Sequence, residues 1–160
     1  MTQTEFVQHF GHTFEATPTI AQQAWTNRPF NNFNDLYNKM VAVVKAMSEA
    51  EKLTLIRAHP ELGAKVKMAK ASVKEQTSVG LTQLNAADYQ KIQTLNADYQ
   101  KKFGFPFVVA VKGLSIADII AAMKYRLNAQ RNEEIVRSLN EIYKIARLRL
   151  EERVKQSYKD

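Results

Sequence analysis

The chain has 160 residues, enough for one domain with a buried hydrophobic core, and 45% of them are hydrophobic. It contains no cysteine, which excludes disulfides, thiolate nucleophiles and thiolate metal sites, and no apolar stretch approaches the roughly 20 residues that span a bilayer. The formal net charge is +7, but the basic residues are spread among acidic neighbours, which favours a solvated surface over a nucleic-acid-binding face. We expect neither a membrane nor a nucleic acid as partner.

Helix signals dominate the first half of the chain. Thr17-Pro18 predicts an N-cap followed by proline at the first helical position. Asp35 to Lys45 predicts a helix, because its apolar residues recur at helical spacing: Leu36, Met40, Val43 and Val44. Ser48 to Glu51 has the spacing of a capping box and opens a helix that must end before His59-Pro60, because proline pushes the preceding residue out of the α region.

Three further helices are predicted in the second half. Asn85 caps the first of them, and Gly104 ends it in a left-handed conformation. Its apolar residues recur every three or four positions: Tyr89, Ile92, Leu95, Tyr99 and Phe103. Ser115 with Asp118 opens the second helix, and the third runs from about residue 133 to about residue 154.

One segment departs from the helical pattern. Phe105 to Val111 is a continuous apolar run whose β-branched content favours a strand, but the sequence offers no second strand to pair with it. Because an isolated strand leaves its backbone groups without partners, we predict a buried extended stretch followed by a short core helix. The predicted fold class is therefore all-α: a single-domain, irregular multi-helix bundle over residues 1–160.

Two kinds of histidine stand out. His9 and His12 lie three positions apart without an apparent third ligand, so surface or packing roles are favoured over a metal site. His59 directly follows a helix end, and Pro60 restricts its backbone. The sequence leaves two interpretations of His59 open: an imidazole aimed into a pocket, or a helix-ending turn in which the ring meets the helix C-terminus.

Polar residues on two helices are candidate site residues. Ser72 to Glu75 has capping-box spacing, which favours a helix start; if the segment is helical throughout, Ser72, Glu75 and Gln76 share one face. On the last helix Arg149 falls inside the apolar stripe, whereas Arg147 points away from it. A buried arginine must be paired or bind an anion; the alternatives are a structural salt bridge or a side chain that extends to the surface. Arg153 follows on the same stripe, but near the chain end, where exposure is expected.

Several segments together resemble the family of 2-oxo-4-hydroxy-4-carboxy-5-ureidoimidazoline (OHCU) decarboxylases. The likeness covers nearly the whole chain in the expected order. Its segments are Arg28-Pro29-Phe30, Arg57 to Gly63, Ser72 with Glu75-Gln76, Leu95-Asn96 with Tyr99, Lys102 to Phe107 through Lys112-Gly113, Arg126-Leu127 with Glu133, and Ile145 to Leu150.

This resemblance implies a function and a site. The function is decarboxylation of OHCU to S-allantoin in urate degradation, without a metal or other cofactor. The expected partner is the small ureidoimidazoline substrate. The expected working form is a homodimer, and the expected location is the cytoplasm. The catalytic residues implied are His59, Glu75 and Arg149. The residues that contact substrate are Pro60, Ser72, Gln76, Phe107, Val108, Val109, Ala110 and Val111. Two alternatives remain: the same scaffold acting on a different small anionic substrate, or a non-catalytic basic helical module that binds nucleic acid or an acidic protein.

Overall fold

The computed structural model describes residues 1–64 and 68–159, with the backbone alone for 157–159. Over these ranges the chain forms eight α-helices and no β-strand, which confirms the all-α prediction. The helices are α1 (Gln3–Phe10), α2 (Thr19–Trp25), α3 (Phe33–Lys45), α4 (Glu49–Arg57), α5 (Lys70–Ser78), α6 (Ala86–Phe103), α7 (Ile116–Arg126) and α8 (Arg131–Lys159). None of the helices described is long and apolar enough to cross a membrane.

Most predicted helix starts are confirmed by their caps. Ser48 and Ser115 each accept a hydrogen bond from a backbone N–H three residues on, with the acidic partner reaching back, so both capping boxes form. Asn85 caps α6, and Gly104 ends that helix at a φ of 81°. The boundaries of α3 and α8 differ from those predicted: α3 starts at Phe33 behind an Asn32 cap, and α8 is longer at both ends.

Two predicted caps are wrong. The hydroxyl of Thr17 donates to the carbonyl of Glu15 at 2.7 Å instead of capping, and α2 begins after Pro18, without a side-chain cap. Helix α5 begins behind Ala69, so Ser72 lies within its first turn and caps nothing. The other interpretation of this segment, a continuous helix with one polar face, is the correct one.

The core centres on the aromatic side chain of Tyr99 in α6. Its ring lies 4.6 Å from that of Phe103, 5.9 Å from Phe105 and 5.4 Å from Phe107, measured between centroids. All four side chains are buried. The helices pack in pairs: α1 on α2, α2 on α3, and α6 on α7, while α1, α3 and α4 contact α8.

The segment Phe105 to Val111 is mostly buried and forms neither a helix nor a strand, so the predicted short core helix is wrong. Side chains supply the partners that a helix or a neighbouring strand would provide. Arg126 donates from Nη1 to the carbonyl of Val108 at 2.6 Å, and Glu141 accepts from the N–H of Ala110 at 3.1 Å. Since side chains pair these buried backbone groups, regular secondary structure is not required here.

A buried polar network holds the side chains that support this segment. Arg126 donates from Nε to Glu134 at 2.7 Å, and the hydroxyl of Tyr99 donates to the same carboxylate at 2.6 Å. Ser138 accepts a further bond from Arg126 at 3.3 Å. Burial, followed by the contact with Glu134, raises the pKa of Tyr99 well above its usual value, so the phenol stays a donor.

Candidate active site

Arg149 on α8 is the centre of a buried cluster of charges. Its side chain is only 9% exposed, as its place in the apolar stripe predicts. Arg149 donates from Nε and Nη2 to the two carboxylate oxygens of Glu75, both at 2.9 Å, in a side-on bidentate pair. The requirement that a buried arginine be paired is therefore met, and the exposed alternative for this side chain is wrong. Arg147, by contrast, is 42% exposed and pairs with Glu151.

Helix α5 contributes a second side chain to the cluster. Ser72 and Glu75 lie three positions apart on one face, as continuous helical geometry requires. The hydroxyl of Ser72 is buried, accepts from Nη2 of Arg149 at 3.2 Å and donates to Glu15 at 2.8 Å. Glu75 is the more accessible of the two acidic partners of Arg149, with 31% of its side chain exposed.

Glu15 is a member of the cluster that sequence reasoning missed. It lies between α1 and α2, its side chain is 4% exposed, and its Oε2 accepts from Nη2 of Arg149 at 2.8 Å. The preceding residue, Phe14, is buried in the core. An irregular connection has no hydrophobic period against which an inward-facing carboxylate would stand out. The motif matches that carried the resemblance did not include this residue either.

His59 lies at the end of α4 and is buried, at 7% exposure. Its Nδ1 is 2.9 Å from the carbonyl oxygen of Leu55. Because a carbonyl only accepts, the ring carries its proton on Nδ1 when neutral, and Nε2 has the free lone pair. The ring thus meets the helix C-terminus, as one interpretation predicted. The other interpretation, an imidazole aimed into a pocket, stays a prediction.

The pKa of His59 is set by burial and by the charged cluster. Burial, the largest effect, lowers the pKa below its usual value, because desolvation disfavours the imidazolium. The contact with Leu55 and the charges of Glu15 and Glu75 act in the opposite direction, while the charge of Arg149 adds to the lowering. His59 is therefore neutral at pH 7 and within electrostatic range of all three charged residues.

Gln76 ties α5 to the turn that follows His59. Its Oε1 accepts from the N–H of Gly63 at 3.0 Å, and Asn96 of α6 donates to the carbonyl of Leu62 at 2.9 Å.

Gly63 has a φ of 70°, and a Cβ there would lie 3.1 Å from a methyl group of Leu84, so the turn needs glycine. Pro60, half-buried, begins this turn.

The segment Phe107 to Val111 lies against the network of Arg126 and Glu134 described above. Phe107, Val108 and Val111 are buried, and Val109 and Ala110 are half-buried. Arg126 and Glu141 bond the backbone of Val108 and Ala110, whereas the charged cluster is built from other elements. Contact of these five residues, and of Pro60, Ser72 and Gln76, with a substrate stays a prediction.

The remaining candidates differ in outcome. Within residues 1–64 and 68–159 no group of three or more His, Asp and Glu side chains is placed to hold a metal ion. His12 is exposed, but its carbonyl oxygen accepts from Nη1 of Arg149 at 3.4 Å. Arg153 is half-buried and donates to the carbonyl of His9 at 3.0 Å, so the expected exposure of Arg153 is wrong.

Comparison with known proteins identifies the chain's family. Residues 1–151 match the sequence model of the OHCU decarboxylase family. The chain belongs to this family. The OHCU decarboxylase of Halalkalicoccus jeotgali is 42% identical over 147 residues, which cover 92% of this chain and 84% of that protein. The resemblance stated from sequence motifs is thereby confirmed, together with the enzyme class that these relatives' names give, a carboxy-lyase.

Two other members of the comparison are longer than this chain. The uric acid degradation bifunctional protein of Bacillus sp. strain TB-90 is 41% identical over 152 residues, which are 95% of this chain but 30% of that protein. A crystal structure of (S)-allantoin synthase superposes with a TM-score of 0.79 at 24% identity, covering 96% of this chain and 51% of that one. At this identity the superposition supports the fold alone: that structure shares the all-α bundle described above.

Proposed function

We propose that this chain decarboxylates OHCU to (S)-allantoin in urate degradation, and that His59, Glu75 and Arg149 carry the chemistry. One observation supports the residue roles above the others. Segments far apart in the chain pair Arg149 with two carboxylates, and the oriented imidazole of His59 lies within electrostatic range of this cluster. Such a set can bind an anion and move a proton, which are the two tasks this reaction needs.

The reaction replaces the substrate's carboxylate by a proton. The bond from the ring carbon to the carboxylate breaks, and CO2 leaves. The released electron pair forms a double bond to the ureido-bearing carbon, while the electron pair of the ring C=N moves to nitrogen, which takes a proton from solvent. The hydroxyl then loses its proton as the carbonyl forms, and the ureido-bearing carbon gains one. Because the substrate's own ring accepts the electrons, the protein contributes positioning, proton transfer and electrostatics.

His59 is the proposed acid and base. Its Nδ1 is held by Leu55, so Nε2 accepts the proton of the substrate hydroxyl and returns a proton to the ureido-bearing carbon. Delivery from one side sets the configuration of allantoin. Glu75 orients His59 and the substrate hydroxyl, and its carboxylate balances the imidazolium while that cation exists.

Arg149 is the proposed anion-binding residue. Its planar fork matches a carboxylate or a carbonyl oxygen of the substrate. Ser72, Gln76 and Pro60 lie around the same helix face and turn, and we assign them to the ureido and ring amides. The main chain of Phe107 to Val111 is assigned to the same amides, since Val109 and Ala110 are the accessible part of that segment.

The function is tested by generating OHCU in situ from urate with uricase and hydroxyisourate hydrolase. Ultraviolet absorbance follows the decay of OHCU, and circular dichroism follows the allantoin formed. Accelerated decay with an excess of S-allantoin supports the proposal. Decay at the spontaneous rate to racemic allantoin, with the protein shown to be folded, contradicts it and turns attention to another small anionic substrate.

The role of His59 is tested by His59→Asn in the same assay. Asparagine retains a donor for the Leu55 carbonyl but cannot shuttle a proton, so kcat should fall by at least about 100-fold. The helical circular dichroism spectrum and Tm should stay close to wild type. His9→Asn, at a half-buried histidine of α1, is the control and should retain activity. Near-normal turnover by His59→Asn would remove His59 from the mechanism.

Three further assignments belong to the same proposal. We assign residues 1–160 to a single domain, the working form to a homodimer and the site of action to the cytoplasm. The absence of cysteine fits a reducing compartment. Light scattering after size-exclusion chromatography tests the dimer: a mass near 18.3 kDa, that of one chain, would contradict it.

A further inference from the structure

Two carboxylates contact Arg149, and they differ in how firmly they are held. Glu75 has 31% of its side chain exposed and contacts Arg149 through both of its oxygens. Glu15 has 4% of its side chain exposed, and one of its oxygens accepts from both Arg149 and Ser72. Glu75 therefore has solvent on one side into which it can move, whereas Glu15 is enclosed.

The backbone around Glu15 fixes it in place. The next residue, Ala16, has a φ of 48°, a left-handed conformation that non-glycine residues adopt only when their surroundings impose it. The preceding Phe14 is 2% exposed in the core. The Thr17 hydroxyl donates to the Glu15 carbonyl at 2.7 Å. Core packing on one side and a closed turn on the other thus aim the carboxylate at α8.

We infer that Glu15 is a positioning residue that keeps Arg149 paired and in place while Glu75 leaves it to serve the substrate. This inference rests on the proposed function, because it assigns Glu75 to the reacting groups. In the structure Glu75 occupies Nε and one Nη2 proton of Arg149, the side of the fork that could otherwise take a substrate carboxylate side-on. Substrate binding at Arg149 then requires Glu75 to give up this position.

The exchange is feasible only if Arg149 retains a counterion. A buried guanidinium without a partner is strongly destabilised, so with Glu75 as its sole counterion Arg149 would hold that carboxylate tightly. Glu15 removes this constraint because its contact with Nη2 persists throughout the exchange. On simple charge grounds the opposite is expected: an extra carboxylate repels an anionic substrate. The two views predict opposite changes in KM for OHCU when the charge of Glu15 is removed: the first predicts an increase and the second a decrease.

Glu15→Gln is the decisive variant, because it keeps the size and one acceptor oxygen but removes the charge. We expect KM for OHCU to rise about tenfold with kcat within about twofold of wild type, since the lost interaction governs binding. A fall in KM would mean that Glu15 acts only by repulsion. An unchanged KM would mean that its role is structural. Either result overturns the inference.

Two comparisons separate positioning from general destabilisation. Val44→Ala removes buried core volume from α3, outside the cluster, and should lower Tm while KM stays unchanged. In an Arg149→Gln background, Glu15→Gln should leave KM as it is, because the residue through which it acts is gone, and should raise Tm by removing an unpaired buried charge. Additive effects of the two substitutions on KM would contradict the inference.

The wild-type protein in the same assay distinguishes failure of the proposed function from failure of the proposed role of Glu15. A folded wild type that does not accelerate OHCU decay overturns the proposed function, and the role of Glu15 with it. An active wild type whose Glu15→Gln variant has an unchanged or lower KM leaves the function standing and overturns only the role of Glu15.

Discussion

At the scale of the residue, burial determines what each polar side chain of the cluster can do. Burial keeps His59 neutral, two carboxylates keep Arg149 charged, and the hydroxyl of Ser72 bridges Arg149 and Glu15. The lowered pKa of His59 keeps the ring in its neutral form at pH 7, in which Nε2 can accept a proton. This is the state required of a group that first accepts a hydroxyl proton.

The pH dependence of kcat/KM follows from this direction. Burial lowers the pKa of His59, so the ring stays neutral to a lower pH than an exposed histidine does, and kcat/KM should stay level further toward acid pH than the titration of a free imidazole would allow. Below its lowered pKa the ring becomes protonated, and kcat/KM should decrease. Initial rates from pH 5 to 8, with buffers matched in ionic strength, measure the profile. A value that increases toward acid pH would show that the reaction begins with protonated His59.

How much of the cluster was predictable depends on periodicity. Arg149 was predictable because a helix places every third or fourth residue on one face, and a charge on an apolar face stands out. His59 was marked by proline and a helix end. Glu15 was not predictable, because its position depends on a left-handed residue in a connection and on contacts 134 positions away in the sequence.

At the scale of the element, two segments show where local rules fail. The capping spacing of Ser72 and Glu75 is real, yet α5 starts three residues earlier, because contacts with Arg149 and Glu15 favour these side chains inside the helix. The segment Phe105 to Val111 forms no helix, because Arg126 and Glu141 pair with its backbone. In both cases tertiary partners, invisible to a local pattern, outweigh the local preference.

The support of Phe105 to Val111 is testable by comparing two arginines that share one carboxylate. Arg126 has a 5% exposed side chain and Arg137 a 38% exposed one, and both contact Glu134. Arg126→Met should lower the free energy of unfolding by about 3–5 kcal/mol, since it leaves Glu134 buried and poorly paired. Arg137→Met, the control, should lower it by less than about 1 kcal/mol. Urea denaturation measures both, and equal effects would contradict this account.

The start of α5 offers a stabilising substitution. Ala69 has the backbone conformation of an N-cap, with φ −59° and ψ 148°, but no side chain that can accept a hydrogen bond. Ala69→Ser should raise the free energy of unfolding by about 0.5–1 kcal/mol, because serine can bond a free N–H of the first turn. Ser48→Ala, which removes an existing cap from α4, should lower it by a similar amount. A loss of stability in Ala69→Ser would mean that Ala69 does not act as the cap.

At the scale of the whole molecule, the site joins parts of the chain that lie far apart in sequence. Glu15 precedes α2, Glu75 belongs to α5 and Arg149 lies in the last helix. Local patterns therefore predicted most helices and the fold class, but neither the packing order of the helices nor which polar groups meet. Those depend on the distribution of apolar surface over all eight helices described.

The overall charge and the local charge at the site have opposite signs. The chain carries +7, whereas Glu15, Glu75 and Arg149 together contribute two negative charges and one positive. The surface should therefore attract an anionic substrate over a distance that salt shortens. Raising NaCl from about 20 mM to 200 mM should lower kcat/KM about two- to fivefold, with kcat unchanged. A kcat/KM that is independent of salt would limit electrostatic attraction to the cluster itself.

The amide contacts of Gln76 and Asn96 also bear on how such an enzyme can diverge. They fasten the turn after His59 to α5 and α6 at Leu62 and Gly63, before the chain continues toward α5. The spacing between the imidazole and the carboxylate of Glu75 is thus set by side chains rather than by the number of residues between them. Insertions and deletions after Gly63 can accumulate among descendants of one gene while the reacting groups keep their separation. Gln76 and Gly63 themselves should be retained, because their hydrogen bond holds this spacing.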